Sequence, residues 1–309
     1  MNPASLIAVD WGTTSLRAYR VDAAGAIVDR LEAPAGIMQV PNGDFGGTFD
    51  RLVGPWLGQG RLPVVASGMI GSRQGWREAP YVDCPAGATD LANRMVSVIS
   101  PAGHTMQLIP GVMQLGADGI PDVMRGEETQ VMGCLMAGDP PRQVFVLPGT
   151  HSKWVIVEAG RIARFATFMT GELFAALRGH TILGRLMEGD ADNADAFRRG
   201  VEQSGRGGGL LRRLFSARTL PLFDRLPETG VASFLSGLLI GEEVAEAAVW
   251  AGTPHIGAQR PIIVGAATLA ARYGDALRIL NIDSRQGTAD AAVAGIRKIL
   301  AAASTEACS

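Results

Sequence analysis

The sequence predicts an α/β protein built as two related half-molecules. Three observations carry that expectation. A chain of 309 residues exceeds the ~100–200 residues of one typical domain. Short apolar strands ending in glycine turns alternate with segments of helical period. A segment near the start, Val9-Asp-Trp-Gly12-Thr13-Thr14-Ser15, has a counterpart in Val146-Leu-Pro-Gly149-Thr150-His151-Ser152, the two glycines lying 137 residues apart. In each copy a strand meets Gly-Thr-x-Ser, then a second strand, then an Ala-Gly turn.

Taken in order, Leu6–Val9 reads as a strand stopped by Asp10-Trp-Gly-Thr-Thr-Ser15. Leu16–Val21 alternates in polarity, and Asp22-Ala-Ala-Gly25 turns it into Ala26–Val28, an antiparallel meander. Leu62–Ala66 is a further strand before the glycine-rich Ser67–Gly75 loop, and Met106–Ile109 is another. Glu127–Ala137 has helical spacing. Gly138-Asp-Pro-Pro-Arg142 is a breaker, which sets the domain boundary: residues 1–138 form one domain and 139–309 the other. Val144–Leu147 and Trp154–Val157 are strands around the second turn. Thr170 is placed to N-cap a helix reaching about Gly189, and Ser233 to cap one over 234–251. Pro261–Val264, a helix opening at Gly265, and a strand at Leu277–Ile282 form a βαβ unit with parallel strands. A last helix runs over 289–302, and the 304–309 tail reads as disordered.

Composition narrows the function. Hydrophobic residues are 47% and charged residues 19%, a folding composition. Formal net charge is −2, which argues against a nucleic-acid binder or a polybasic membrane contact. No apolar run approaches the ~18 residues of a membrane span, and no signal-peptide pattern is present. Cys84, Cys134 and Cys308 are scattered without metal-ligand spacing, as expected of reduced thiols in a cytoplasmic protein. Glycine is frequent, 40 of 309 residues, implying tight turns and close backbone approaches. Lys153 and Lys298 are the only lysines among 28 basic residues.

Each Gly-Thr turn offers exposed amides and adjacent hydroxyls, a concavity suited to phosphate oxygens. At these residues the sequence resembles the sugar-kinase, Hsp70 and actin superfamily of ATP-binding proteins. AVDWGTTSLRAY from Ala8, VMRGEETQ from Val123, LPGTHSKWV from Leu147, FMTGEL from Phe168 and FLSGLLIGEEV from Phe234 together resemble the 2-dehydro-3-deoxygalactonokinase family. The resemblance implies two actin-like (ribonuclease H-like) domains with a nucleotide cleft between them. It also implies ATP and Mg²⁺ as cofactors and phosphorylation of a sugar acid, 2-dehydro-3-deoxy-D-galactonate, on its 6-hydroxyl. A kinase for another sugar acid, or an ATPase or polyphosphate hydrolase of the same superfamily, stays open, as does a homo-oligomer.

The resemblance assigns ATP phosphates to Gly12, Thr13 and Thr14 in one domain and to Gly149, Thr150, His151 and Ser152 in the other. Lys153 adds a point charge there, or is a solvent-facing lysine at a strand start. Asp10 positions Mg²⁺. The adenosine motif falls on Ile262–Thr268, with Gly265, Ala266 and Thr268 as contacts and only one glycine where the superfamily has more. The proton acceptor is expected at Glu127 or Glu128, with Asp118 and Asp122 as rivals. Only one of the glutamates is expected to face substrate, since acids in a helix's first turn also follow from the macrodipole. A substrate carboxylate calls for a cation, with Arg17, Arg73 and Arg125 as candidates beside the Gly68 loop. Trp11 and Trp76 line a sugar pocket or pack in the core. His104, His180 and His255 are expected to be structural or exposed.

Overall fold

The computed structural model describes residues 4–58, 62–116, 118–189, 192–206, 209–252, 259–288 and 290–306. His255 and Cys308 lie outside them. The chain forms two compact units. The first holds the described residues up to Pro141, Val157–Arg164 and those from Thr288 onward; the second holds Arg142–Ile156 and Phe165–Gly287.

The first unit opens with the expected meander of β1 (Ala4–Trp11), β2 (Leu16–Asp22) and β3 (Ile27–Ala33). Its register sets Asp10 opposite Arg17 and Trp11 opposite Leu16. The apolar run that marks β1 has Ile7, Ala8 and Val9 fully buried, as in a strand covered on both faces. Asp44 caps α1 (Phe45–Leu52), its carboxylate accepting from the Gly47 amide at 2.9 Å. Then come α2 (Gly54–Leu57), β4 (Val64–Ser67), β5 (Val82–Asp83), α3 (Ala88–Ala92), β6 (Val96–Ile99), β7 (Thr105–Leu108), β8 (Val112–Leu115), β9 (Pro121–Met124) and α4 (Glu127–Cys134). The main sheet has the order β3-β2-β1-β4-β7-β6, and a small sheet β5-β8-β9 stands apart from it. Strand β4 runs parallel to β1, with Ser67 beside Asp10. Trp11 is fully buried, edge-on to Phe45, its indole N–H donating to the Ala35 carbonyl at 2.8 Å. Trp76 packs against the same core at Phe49. Trp11 is thus a core residue, and Trp76 is half-buried at the edge of that core.

The second unit repeats the plan. Strands β10 (Arg142–Leu147), β11 (Ser152–Glu158) and β12 (Arg161–Phe168) lead to α5 (Thr170–His180), α6 (Ala194–Gln203), α7 (Gly209–Leu214), α8 (Ser216–Leu222), α9 (Val231–Trp250), β13 (Ile262–Ile263), α10 (Ala267–Ile279) and β14 (Arg285–Gln286), after which the chain returns to the first unit as α11 (Ala291–Glu306). The sheet order is β12-β11-β10-β13-β14, with β13 parallel to both β10 and β14. Helices α6 and α9 cross where Gly200 and Gly237 let each backbone approach the other.

Several expectations shift. Leu277–Ile282 is no strand: Ala270, Tyr273, Ala276 and Leu277 are the buried face of α10, a helical spacing that a short apolar run hides. Met169, not Thr170, is the residue before α5, which stops at His180 because a separate turn, Ile182–Leu186, follows. Ser233 lies inside α9, its hydroxyl accepting from the Asn193 amide at 3.0 Å. Ser304–Glu306 continue α11 where a disordered tail was expected. Helix α11 groups with the first unit, beyond the expected break at residue 138. It rests on α4 with Gly133 and Gly295 at the crossing, where any side chain would overlap backbone. Lys298 donates to the Met132 and Leu135 carbonyls at 3.2 and 2.7 Å, closing the last turn of α4.

Candidate functional site

In the first unit the Gly12–Ser15 turn joins β1 to β2, closed by the Gly12 amide on the Ser15 carbonyl at 2.9 Å. Thr13 and Thr14 are exposed and Gly12 half-buried. The segment after β3 folds back on this turn: the Ile37 amide donates to the Gly12 carbonyl and Met38 to that of Thr13. Gly36 makes the approach feasible, because a Cβ there would overlap the Thr13 and Thr14 backbone. Asp10 ends β1 at the mouth of the turn, with 24% of its side chain exposed and Arg17 Nη1 at 3.8 Å. Burial raises its carboxyl above the ordinary range, and the Arg17 charge pulls it partly back. Arg17 is shared with Glu32, at 2.9 Å.

Two further glycine bends reach the same strand ends. Gly68, after β4, has φ +99° and lies so close to the Trp11 carbonyl that a Cβ would stand 2.8 Å from it. Gly126, with φ +107°, sits against the Gly68 Cα. Both positions require the left-handed freedom of glycine. Gly126 launches α4, whose first two residues are Glu127 and Glu128. Their carboxylates turn back on the preceding backbone: Glu127 accepts from the Arg125 amide at 3.1 Å and Glu128 from the Gly126 amide at 2.7 Å. Glu128 is completely buried. It ends a hydroxyl chain in which Ser67 donates to Thr129 at 2.7 Å and Thr129 to Glu128 at 2.8 Å. Burial, then the neighbouring Glu127 charge, push the Glu128 carboxyl up to about 7. Glu127 is half-buried, so the structure separates the pair as expected. Asp118 and Asp122 instead cap turns of the β8–β9 hairpin through the Ile120 and Val123 amides.

The candidate arginines part ways. Arg73 is exposed. Arg125 is 92% buried, its relative exposure being 8%; its guanidinium lies 4.4 Å from the Tyr81 ring centre and donates from Nη2 to the Ala79 carbonyl at 2.8 Å. Its Nε and Nη1 have no hydrogen-bond partner, and Gly71 borders Nη1 with no side chain. An unpaired buried guanidinium edge is costly unless an anion completes it.

The second turn, in the second unit, divides within itself. Thr150 and His151 are exposed and Gly149 half-buried, whereas Ser152 and Lys153 are buried. The Ser152 hydroxyl lies 2.8 Å from the Tyr273 hydroxyl, committed to the interior. Lys153 is therefore not the solvent-facing lysine that one reading foresaw. Gly171, in the first turn of α5, packs on Gly149 and Thr150 as Gly36 packs on Thr13 and Thr14. The Glu172 amide donates to the Thr150 carbonyl at 3.0 Å, and its carboxylate meets His151 Nε2 at 2.5 Å. Gly265 and Ala266, between β13 and α10, and Thr268, in the first turn of α10, are exposed, and a helix's first amides lack intrahelical partners.

Sequence reasoning missed Gly36, Gly171, Tyr273 and Glu243. The first two were legible as a glycine placed 24 and 22 residues after each turn glycine. Glu243 was legible as a charge inside the apolar run FLSGLLIGEEV. His104 packs edge-on to Phe49, and His180 is exposed at the end of α5.

These sheets and paired turns define the class, an actin-like fold. Component A of (R)-2-hydroxyglutaryl-CoA dehydratase from Acidaminococcus fermentans shares that fold at TM-score 0.52 and 12% identity, each chain covered to 98%. Within the class the assignment is narrower. The sequence model of the 2-keto-3-deoxy-galactonokinase family matches residues 10–299, and the chain belongs to that family. It is 35% identical to the 2-dehydro-3-deoxygalactonokinase of Escherichia coli (strain K12) over 297 residues, 96% of this chain and 97% of that one. A solved Sinorhizobium meliloti structure carrying the same enzyme name superposes at TM-score 0.85 with 34% identity, covering 98% and 99% of the two chains. Among the described residues no helix is long and apolar enough to cross a membrane.

Proposed function

We propose that the protein transfers the γ-phosphoryl group of ATP to the 6-hydroxyl of 2-dehydro-3-deoxy-D-galactonate. The observation that carries this reading is that the family match runs through both Gly-Thr turns and the Glu127–Glu128 pair. Phosphoryl transfer asks mainly for positioning, charge neutralisation and an acceptor for the hydroxyl proton. Gly12, Thr13 and Thr14 supply amides and hydroxyls to phosphate oxygens, as do Gly149, Thr150 and His151. Gly265, Ala266 and Thr268 carry the adenosine side. Ser152 and Lys153 act from behind the turn, since both are buried.

Glu127 takes the proton. Of the pair it alone keeps access to solvent, while Glu128, buried and engaged by Gly126 and Thr129, fixes the start of α4. The sugar oxygen bonds to the γ-phosphorus as the bridging P–O bond breaks and ADP departs. The free Nε–Nη1 edge of Arg125 suits the substrate carboxylate, with the Gly68–Gly71 backbone beside it.

A magnesium site fits Asp10. Its carboxylate has Arg17 only at 3.8 Å, and the described residues hold no group of three metal-ligating side chains. A lone carboxylate, with phosphate and water, is the usual way a protein holds Mg²⁺. Bound there, the ion would neutralise charge on the transferring phosphoryl group.

The test is a coupled ADP-release assay on 2-dehydro-3-deoxygalactonate, its gluconate epimer, galactonate and a no-sugar control, run on wild type, Glu127→Gln and Glu128→Gln. Strong preference for the first substrate is expected, with kcat falling about 10²–10⁴-fold in Glu127→Gln and less in Glu128→Gln. Equal rates on both epimers would make it a broader sugar-acid kinase. Sugar-independent ADP release would make it an ATPase.

A further inference from the structure

Glu243 sits in the middle of α9, buried in an apolar helix. A carboxylate in such a place is costly unless donors surround it, and here they do. Tyr273 donates to its Oε2 at 2.5 Å and the Trp154 indole N–H to its Oε1 at 2.8 Å. Thr170 also bonds it, and the Ser152 hydroxyl joins indirectly, donating to the Tyr273 hydroxyl 2.8 Å away. Its neighbour Glu242 faces elsewhere, pairing with Arg213 and the Gly205 amide.

The origin of these four side chains is what matters. Ser152 directly follows His151, and Trp154 lies two residues on, on the same face of β11. Thr170 opens α5 beside Gly171 and Glu172, which pack on and hydrogen-bond the Gly149–Thr150 turn. Tyr273 belongs to α10, which begins directly after Gly265 and Ala266. Each donor thus stands just behind an exposed loop that the proposed function assigns to nucleotide.

We propose that Glu243 is a positioning residue for ATP: one buried carboxylate ties β11, α5 and α10 together, setting the spacing of the phosphate turn and the adenosine loop. This rests on the nucleotide reading of the second unit given above. An apolar cluster of equal volume would hold the helices as firmly, since buried ionic groups add little net stability. What directional bonds to three separate elements add is a defined register among the loops.

The experiment compares full-length wild type with Glu243→Gln, Tyr273→Phe and Ser152→Ala. It measures kcat, KM for each substrate, ADP affinity by calorimetry without sugar, and melting temperature. Glu243→Gln should raise KM for ATP and the ADP dissociation constant about tenfold, as expected for loss of one hydrogen bond to a buried charge. Tyr273→Phe should do so about threefold to fivefold, with KM for the sugar acid held within about twofold in both. If Glu243→Gln does not fold, Tyr273→Phe and Ser152→Ala, which keep the core filled, carry the same expectation. A drop in melting temperature with both KM values unmoved, or both rising together, overturns the proposal. Gly149→Val separates the underlying reading: an unchanged KM for ATP there removes the nucleotide assignment of the turn, and with it the proposed role of Glu243.

Discussion

The two Gly-Thr turns are copies that have specialised differently. Both follow the first strand of a meander, and both are buttressed by a glycine that follows the third strand, Gly36 in one and Gly171 in the other. The difference lies in what surrounds the glycine of the turn. The first turn has Asp10 at its mouth, part-exposed, with Arg17 close by. The second has Leu147 where the first has Asp10, so no acid is offered. It invests instead in its interior, where Ser152, Trp154, Thr170 and Tyr273 converge on Glu243. A buried glutamate stands behind each turn region, yet their company differs. Glu128 has an amide, one hydroxyl and the repelling charge of Glu127, while Glu243 has three side-chain donors, one of them backed by Ser152. On the proposed reading, the first turn carries the chemistry and the second holds nucleotide.

The sharpest way to break this contrast is Asp10→Ala. If the first turn carries the chemistry, kcat falls about 10²–10³-fold and the fold survives. Burial disfavours the charged Asp10 carboxylate, so the melting temperature should hold or rise slightly, as read by calorimetry beside steady-state kinetics. Near-normal turnover would make the two turns equivalent.

A smaller effect tests what the turns still share. Gly36→Ala and Gly171→Ala each place a methyl group into the backbone of a phosphate turn. Each should raise KM for ATP about tenfold, the order expected when strain displaces one set of ligand contacts. If only one does, the buttress is a feature of one copy and the structural parallel has no functional counterpart.

How much of this was legible beforehand follows from the range of the forces involved. Strands β1, β2 and β10 and both turns are local: apolar runs stopped by glycine declare themselves. Glu127 and Glu128 were legible as a pair of unequal roles, but not which of them is buried, since that depends on Ser67, far away in sequence. The interior fate of Ser152 was not legible, since its partner Tyr273 lies 121 residues away. The same distance problem hid α11 from its place on α4. Leu277–Ile282 failed for a different reason: six apolar-rich residues fit strand or helix, and packing against the core decided. Arg125 was legible as a candidate but not as a buried one, because its burial depends on Tyr81, Ala79 and Gly71.

The finest comparison concerns Arg17, which β2 sets opposite Asp10 and which has no equivalent in the second turn. Arg17 was expected among the residues that grip a substrate carboxylate, whereas its observed neighbours are Asp10 at 3.8 Å and Glu32 at 2.9 Å. These two roles make opposite forecasts for Arg17→Ala. The arginine lowers the Asp10 carboxyl that burial has raised, so removing it lets that carboxyl rise further. If ionised Asp10 is required, less enzyme is active at low pH, and the acid limb of the kcat/KM profile moves to higher pH, by up to about one unit for a part-exposed pair. Above that limb the rate should lie within about threefold of wild type. A carboxylate-gripping Arg17 would instead raise KM for the sugar acid at every pH and leave the limb where it was. A pH series with both KM values decides between them. A shifted limb would tie Arg17 to Asp10 and make the first turn distinctive in its charge pair as well as in its acid.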